Sequence, residues 1–221
     1  MVIRQRAIQA EDKQERYNAI LDAAERVLTR SPDPNMADVA DEAGVAKGTV
    51  YLYFPGKEEL LLALHERNIE GFFNALCARL EEPQAVGIDD ILALTHERMV
   101  ERPLFLPLAV RCLAHMGRSV PEEAATSFGQ RLGERLLRAG AGLERHFRQL
   151  PPAGGVALLR HSYALILGLW QLSGAEACAI AAPLREQAPY SLGYADNLDA
   201  ALRALWQGTV GPAAARSGSA S

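Results

Sequence analysis

The sequence predicts an all-α protein, and three observations lead to that prediction. Ala, Leu, Arg and Glu are prominent and runs of β-branched residues are few, which favours helices. Apolar residues recur at intervals of three and four positions, the spacing of one face of a helix. Proline and glycine interrupt this spacing repeatedly. With 221 residues, the chain is long enough to hold a small domain joined to a larger one.

The N-terminal part is predicted to form closely connected helices. A helix over residues 12–30 places its apolar residues on one face. It ends at the SPDP sequence of residues 31–34, because prolines lack a donor and restrict the residue before them. Asn35 is a good N-cap for a second helix over residues 36–43, and Gly44 ends that helix where a left-handed residue is favoured.

Longer amphipathic helices are predicted after a break at Pro55 and Gly56. The first covers residues 57–80, with leucine, isoleucine and phenylalanine side chains spaced to pack inward. The tail over 211–221 has too little apolar surface to fold and is predicted to be disordered. The predicted domains are therefore residues 1–56 and 57–210, followed by this tail. Further helices are predicted over 88–101, 103–116, 121–149, 155–175 and 197–207, with a loop over 182–196.

The segment AGVAKGTVYLYF, residues 43–54, is a poor helix former between two good ones. Gly48 costs roughly 1 kcal/mol relative to Ala inside a helix, and Thr, Val and Tyr lose side-chain freedom there. Two short helices joined by a turn that contains glycine are typical of the helix-turn-helix arrangement, in which the second helix lies in the DNA major groove. We therefore interpret residues 46–54 as a recognition helix.

Several side chains of this segment fit DNA contacts. Gly48 allows close approach of the duplex, and Thr49 offers a hydroxyl and a methyl group. Tyr51 and Tyr53 can reach phosphates, while Leu52 either packs inside or meets a thymine methyl group. The alternative is that the tyrosines fill the small core.

Two lysines stand in unusual places. Lys47 and Lys57 each open a helix, where a positive charge opposes the helix dipole. A lysine there also strengthens the anion site formed by the free N–H groups of the helix start. The pair is interpreted as a phosphate clamp on either side of the recognition helix, with simple solvation as the alternative.

The run MADVADEAGVAKGTVYLYFPGKEELL, residues 36–62, closely resembles the DNA-binding signature of the TetR family of transcriptional regulators. The preceding helix over 12–30 also matches. The resemblance implies an all-helical homodimer with a three-helix helix-turn-helix DNA-binding head. It further implies a larger helical body that binds a small molecule and dimerises through its last two long helices.

Three positions depart from the family pattern. Family members commonly carry Ser or Thr in place of Ala46, and often Ser or Asn in place of Gly56, so both helix starts lack a capping side chain. Leu52 stands where a polar or aromatic residue is frequent. We expect the recognition helix to be less ordered before DNA binds, and DNA phosphates to help complete the two helix starts.

The charge balance limits how the chain could hold DNA. The net charge is −4, and residues 1–57 hold eight Lys and Arg against nine Asp and Glu, so attraction must come from the placement of individual charges. Arg4 and Arg6 are expected on a flexible arm that either reaches a phosphate or the minor groove or stays solvated. The candidate DNA-binding residues are Arg4, Arg6, Asn35, Ala46, Lys47, Gly48, Thr49, Tyr51, Leu52, Tyr53 and Lys57.

The predicted helix over 155–175 is apolar on more than one side, so one side is expected to face a partner chain. Small residues along it would let a second helix approach closely. Together with the last helix, it would form a two-fold, four-helix interface. The candidate dimer residues are Ala164, Gly168, Trp170, Leu198, Leu202, Leu205 and Trp206.

A small-molecule pocket is expected among the middle helices, where polar or polarizable residues are mixed with apolar ones. Arg111 and His115, on one helix face, are the candidate pair for an anionic or hydrogen-bonding ligand. For any single candidate, a core or surface position without a ligand is the favoured alternative. The full set is His96, Met99, Phe105, Arg111, Cys112, His115, Phe147 and Tyr163.

Catalysis, metals and cofactors find no support in the sequence. The histidines show no metal-ligand spacing, no serine stands in a nucleophile-elbow pattern, and there is no phosphate-binding glycine loop. With neither a secretory signal nor a long apolar span, a cytoplasmic location is expected.

Together, the helix-turn-helix segment and the family resemblance predict a ligand-responsive repressor that binds a pseudo-palindromic operator as a homodimer and is released by a small-molecule effector. An activator with the same head, or a helical small-molecule-binding or enzymatic protein without DNA binding, are the alternatives.

Overall fold

Most of the described chain is helical; the description covers residues 2–173 and 193–211 of a computed structural model. These residues contain no β-strand, so the predicted all-α fold is confirmed. None of the described helices is both long enough and apolar enough to cross a membrane. The α-helices are α1 Val2–Arg30, α2 Met36–Ala43, α3 Lys47–Tyr53, α4 Lys57–Glu81, α5 Ile88–Thr95, α6 Phe105–His115, α7 Glu122–His146, α8 Gly154–Ser173 and α9 Tyr194–Val210.

Helix α1 begins well before its predicted start at residue 12. It extends to Val2, so Arg4 and Arg6 lie within the helix and the prediction of a flexible arm is wrong. The reason is local, because residues 2–13 contain no Gly or Pro and include good helix formers such as Arg, Gln and Ala. DNA contact by the two arginines stays a prediction, now from a helix.

The helix predicted over 88–101 is in fact two elements. After α5, His96–Val100 form a π-helical turn, which ends where the Glu101 N–H donates to the His96 carbonyl at 2.9 Å. The ends of helices α6 to α9 lie within three residues of their predicted positions. The predicted loop over 182–196 and tail over 211–221 fall mostly outside the described residues, and residues 194–196 belong to α9.

The first of two compact units comprises Met1–Ile69 and Arg102–Gly129. Its core joins the inward faces of α1, α2 and α3 to the start of α4, and Leu108 of α6 belongs to the same core. Burial of each large apolar side chain contributes about 1.5–3 kcal/mol, which stabilises helices too short to persist alone. A domain boundary at residue 56 stays a prediction. The buried core residues are Ile20, Leu21, Ala23, Ala24, Val27, Leu28, Met36, Val39, Ala40, Val50, Phe54, Leu60, Leu61, Leu64 and Leu108.

The second unit is formed by described residues of Glu70–Glu101 and Gln130–Ser221, with α8 and α9 packed on each other. The Trp206 indole N–H donates to Ser162 Oγ at 2.9 Å, and the Ser162 hydroxyl donates to the Leu158 carbonyl at 2.8 Å. The Trp206 ring also meets Phe147 edge-on, with centroids 5.8 Å apart. The buried polar atoms of Trp206 and Ser162 are therefore paired, as buried polar groups normally are.

Three residues predicted to face a partner chain are core residues of this unit. Each is at most 1% exposed, so none is available to a second copy. The prediction relied on apolar spacing along α9, which shows that one face is buried but not what covers it. The three residues are Leu198, Leu202 and Trp206.

Helices α7 and α8 approach each other at a glycine pair. A Cβ added to Gly155 would stand 2.2 Å from the Gly140 carbonyl oxygen, and one added to Gly140 would stand 2.6 Å from a Val156 methyl group. Neither position can accept a side chain without moving backbone. These glycines permit a helix contact that no larger residue would allow.

Candidate nucleic-acid interface

The turn between α2 and α3 is built from two local signals. Asn35 Oδ1 accepts hydrogen bonds from the N–H groups of Ala37 and Asp38, both at 2.9 Å, so the predicted N-cap is confirmed. Gly44 has φ +66°, the predicted left-handed end of α2, and its N–H bonds back to α2 carbonyls. Because the Asn35 amide also donates to the Asp38 carboxylate at 2.7 Å, its side chain is committed to the cap.

Helix α3 has one buried side and one open side. Val50 is 0% exposed and Phe54, just past the helix, is 3% exposed, which anchors α3 in the core of the first unit. On the opposite side, Leu52 is 84% exposed and Tyr51 is 42% exposed. Leu52 and Tyr51 therefore form the solvent-exposed side of α3.

The start of α3 is exposed and has no side-chain cap. Ala46 provides no side-chain cap, as predicted, and Lys47 beside it is exposed. The Lys47 ammonium lies 5.9 Å from the centre of the Tyr51 ring, which keeps it over the open side of the helix. A Cβ at Gly48 would meet no atom within 4 Å, so nothing in the chain itself requires glycine there.

Other candidates on and near α3 are partly enclosed. Tyr53 is partly buried, and its ring lies 6.5 Å from that of Tyr17, which in turn lies 4.9 Å from Phe54. Thr49 is also partly exposed, and its N–H donates to the Ala46 carbonyl at 2.8 Å. Tyr53 is therefore positioned by aromatic packing, and phosphate contact by its hydroxyl stays a prediction.

Lys57, the other predicted phosphate ligand, already has an acidic partner. Its Nζ lies 2.7 Å from Asp33 Oδ1, in the loop between α1 and α2. Arg111 of α6 shares that carboxylate oxygen at 3.3 Å. The hydrogen bonds from Lys57 and Arg111 lower the pKa of Asp33, so it is ionised at neutral pH.

Further ion pairs fix the helices that carry α3. Arg30 and Arg26 of α1 both bond to Glu42 of α2, with Arg26 at 2.6 Å, and they lower the pKa of that carboxyl. Arg67 of α4 binds Asp22 and Glu25 of α1 at 2.5 and 2.6 Å. These three arginines are paired with carboxylates. The net charge therefore does not indicate which positive groups could contact DNA.

Four ligand candidates belong to the first unit and have separate environments there. Phe105 and Cys112 are 0% and 3% exposed, and burial raises the pKa of the Cys112 thiol to about 12. Arg111 binds Asp33 and Glu58, both at 3.3 Å, while His115 Nδ1 lies 3.4 Å from Ser119 Oγ. The Arg111 guanidinium is thus held by protein carboxylates, and binding of one ligand by Arg111 and His115 together stays a prediction.

The other four candidates belong to the second unit. Met99 and Phe147 are 5% and 8% exposed, and Tyr163 is partly exposed. His96 Nε2, in the π-helical turn, lies 3.8 Å from a carboxylate oxygen of Asp199. A role in ligand binding stays a prediction for each of them. No group of three or more His, Cys, Asp or Glu side chains that could hold a metal occurs in residues 2–173 and 193–211.

His65 is a buried polar residue that the sequence analysis missed. It is 2% exposed, its Nδ1 has no hydrogen-bond partner, and burial lowers its pKa to about 4, so the ring is neutral. The ring meets Phe105 edge-on at 5.6 Å and lies 6.5 Å from Phe128. Its spacing of four residues from Leu61 and from Ile69 places it on the inward face of α4, a signal that was available in the sequence.

The geometry defines a helix-turn-helix protein: a capped α2, a glycine turn and a short α3 with one anchored and one open side. A family model described as "Bacterial regulatory proteins, tetR family" matches residues 20–64. A second, "Tetracyclin repressor-like, C-terminal domain", matches residues 66–212, more than half of the chain. The chain belongs to the TetR family.

Curated relatives match part of the chain. The HTH-type transcriptional repressor LfrR of Mycolicibacterium smegmatis is 35% identical over 100 residues, 45% of this chain and 50% of that protein. The fatty acid metabolism regulator protein of Bacillus subtilis is 36% identical over 72 residues, 32% of this chain and 35% of that protein. The matches thus span half or less of the length of these relatives.

A solved structure extends the likeness in fold to most of the chain. SmeT, described as the repressor of the multidrug efflux pump SmeDEF of Stenotrophomonas maltophilia, superposes with a TM-score of 0.53 at 21% identity. The match covers 88% of this chain and 90% of SmeT. A SmeT–triclosan complex gives a TM-score of 0.54 at 20% identity, covering 89% and 92% of the two chains. At such identities the likeness concerns the fold.

Proposed function

We propose that this protein is a transcriptional repressor that binds a pseudo-palindromic operator as a homodimer and is released by a small-molecule effector. The open side of α3 carries the proposal. Leu52 is 84% exposed, Tyr51 is 42% exposed, and Lys47 stands beside an uncapped helix start. A DNA groove offers methyl groups and base edges to Leu52 and Tyr51, and phosphates to Lys47.

DNA contact is assigned by the placement of each group. Lys47, the first residue of α3, binds a phosphate of the DNA backbone. Gly48 lets the backbone approach the duplex, and Leu52 reaches a thymine methyl group. The remaining predicted residues, Arg4, Arg6, Thr49, Tyr51, Tyr53 and Lys57, contribute backbone or base contacts around this centre. Asn35 acts through its cap of α2, which positions the turn before α3.

Dimerisation is assigned to the outward side of α8 and α9. Ala164 is exposed, Gly168 has no atom within 4 Å of an added Cβ, and Leu172 is 65% exposed. Leu205 of α9 and Trp170 of α8 are partly exposed. A second copy that packs along these small residues would cover apolar surface, and a dimer would bring two heads to one operator.

The effector is assigned the class of small, largely apolar molecules. His65 and Cys112 are buried and uncharged at neutral pH, and their pKa values, lowered to about 4 and raised to about 12, keep them so. Phe105 and Phe128 lie beside His65. A ligand that contacted these side chains would be largely apolar with a polar group, because a buried charge without a partner is costly. The SmeT–triclosan complex shows a small molecule bound by a protein of similar fold.

A random-oligonucleotide selection with the purified chain tests DNA binding. We expect enrichment of a sequence with two-fold symmetry, bound more tightly than a shuffled duplex. Lys47→Ala should weaken binding to both duplexes, because it removes a phosphate contact. Arg148→Ala, which removes an exposed positive charge from the second unit, is the matched control and should bind as the parent does. If the parent enriches no sequence, the repressor assignment is wrong.

The dimer and the effector need separate measurements. Sedimentation should give a dimer that Gly168→Arg converts to a monomer with weakened operator binding.

A thermal-shift screen of apolar compounds should find ligands that stabilise the chain and release the operator, as binding to one conformer requires. Compounds that stabilise the chain without changing operator affinity would argue against the effector role. Loss of a reporter gene's repression on addition of the compound would separate a repressor from an activator.

A further inference from the structure

A cluster of four charged residues lies at the start of α4. We call it the Asp33 cluster: Asp33, Lys57, Glu58 and Arg111. Lys57 Nζ lies 2.7 Å from Asp33 Oδ1, and Arg111 Nη2 lies 3.3 Å from that same oxygen. Arg111 Nη2 also lies 3.3 Å from Glu58 Oε1, and its Nη1 donates to the Pro32 carbonyl at 3.3 Å. Asp33 Oδ1 therefore contacts both Lys57 and Arg111.

The carboxylate occupies Lys57 in the way a phosphate would. Lys57 is the first residue of α4, where the helix dipole disfavours its charge and an anion offsets the cost. In the chain without DNA, Asp33 supplies that anion. The Asp33 side chain is 73% exposed, so the pair is open to solvent, and exposed ion pairs are weak enough to exchange partners.

We propose that Asp33 is a built-in competitor of DNA phosphate for Lys57, and that Arg111 determines how firmly Asp33 holds this lysine. The inference rests on the proposed function, in which Lys57 contacts the DNA backbone. A phosphate that binds Lys57 must either displace Asp33 or lie close to its negative charge, and both cost binding free energy. The cluster thereby lowers the affinity for a duplex of any sequence. Because the weakened contact is to the DNA backbone, base contacts supply a larger share of the binding free energy.

Arg111 acts as a positioning residue within this cluster. It attracts the Asp33 carboxylate and repels the Lys57 ammonium, so both effects favour release of the lysine. Arg111 belongs to α6, whose Leu108 lies in the same core as the recognition helix. A shift of α6 that changes the distance between Arg111 and Asp33 would therefore change the availability of Lys57.

A double-mutant cycle with a labelled duplex of random sequence tests the competition. Kd is measured by fluorescence anisotropy for the parent, Asp33→Asn, Lys57→Gln and the double variant. Asp33→Asn should bind roughly two- to fivefold more tightly, the range expected for release from an exposed ion pair. This gain should disappear when Lys57 is already Gln. Lys57→Gln alone should reduce the salt slope by about one.

Asp41→Asn is the matched control. It removes the same charge from an exposed residue of the same unit, but one outside the Asp33 cluster. Its effect should be the same whether residue 57 is Lys or Gln. If the gain from Asp33→Asn also persists in Lys57→Gln, Asp33 acts only through general charge and the competition is refuted. If the parent binds no duplex at all, the proposed function itself fails, which is a different result.

The role of Arg111 is tested in the same assay. Arg111→Gln should weaken duplex binding in the parent background, because Asp33 then holds Lys57 alone, and should have little effect with Asp33→Asn. Arg111→Lys, which keeps a cation, should restore binding toward the parent. A merely structural role of Arg111 would instead lower affinity equally in both backgrounds and would not be rescued by lysine.

Discussion

The substitution Gly48→Ala separates helix stability from DNA contact. In the chain alone, the added methyl group would meet no atom within 4 Å and the backbone at this position is helical, so alanine fits without strain. Alanine is favoured over glycine by about 1 kcal/mol in a helix interior, and Gly48, the second residue of α3, should gain up to that amount. We therefore expect a more stable protein, with Tm higher by up to roughly 2–4 °C for a chain of this size.

The same substitution should weaken DNA binding. If Gly48 lies against the duplex, the methyl group enters a close contact, and overpacking of this kind costs about 1–3 kcal/mol. Kd for the selected operator should rise by about fivefold to more than a hundredfold, since every 1.4 kcal/mol is a factor of ten. A variant that is more stable but binds the operator less tightly would indicate that Gly48 is needed for DNA contact and not for folding.

Gly129→Ala provides the control for Gly48→Ala. Gly129 also lies inside a helix, in α7, and an added Cβ there would meet no atom within 4 Å. This variant should gain similar stability and bind operator as the parent does. Thermal unfolding and anisotropy titration of both variants give the comparison. Operator binding by Gly48→Ala as tight as that of the parent would refute the reasoning that the glycine permits close approach.

Three further substitutions test other parts of the structure. Leu52→Ala should weaken operator binding, and replacing thymine by deoxyuridine at the contacted position should weaken parent binding but not that of the variant, since both remove the same methyl contact. Gly155→Ala should lower stability by about 1–3 kcal/mol, because its Cβ would stand 2.2 Å from the Gly140 carbonyl oxygen. A chemical denaturation midpoint equal to that of the parent would contradict this contact. Arg30 and Arg26 lower the pKa of Glu42, so its stabilising effect is present above the unfolded-state pKa and is lost as pH falls through the lower folded-state value. Glu42→Gln should therefore lower Tm at neutral pH, with the difference from the parent shrinking on acidification.

Local signals predicted most of the helices. The caps at Asn35 and Gly44 depend on residues within a few positions of one another, so the ends of α2 could be read directly from the sequence. The apolar spacing gave α4 and α6 to α9 to within three residues. The predicted start of α1 at residue 12 was wrong. The helix extends to Val2 because no Gly or Pro interrupts it, and this extension does not depend on an apolar face.

Contacts between distant residues could not be predicted in this way. Arg111 and Asp33 are separated by 78 positions, and the sequence offered no reason to pair them. For the same reason, Lys57 was predicted to be available to phosphate, whereas the structure places it on a carboxylate. An ion pair of this kind depends on where the helices pack, which is determined by many weak contacts together.

The sequence by itself determined the helical fold, the capped turn and the composition of α3, because each depends on spacing and backbone preference within one or two turns. Only the tertiary structure decided what covers each apolar face. It placed Leu198, Leu202 and Trp206 in the core of their own chain, and it left Leu52 open to solvent. Periodicity indicates that a face is buried, but the identity of its partner depends on packing across the whole unit.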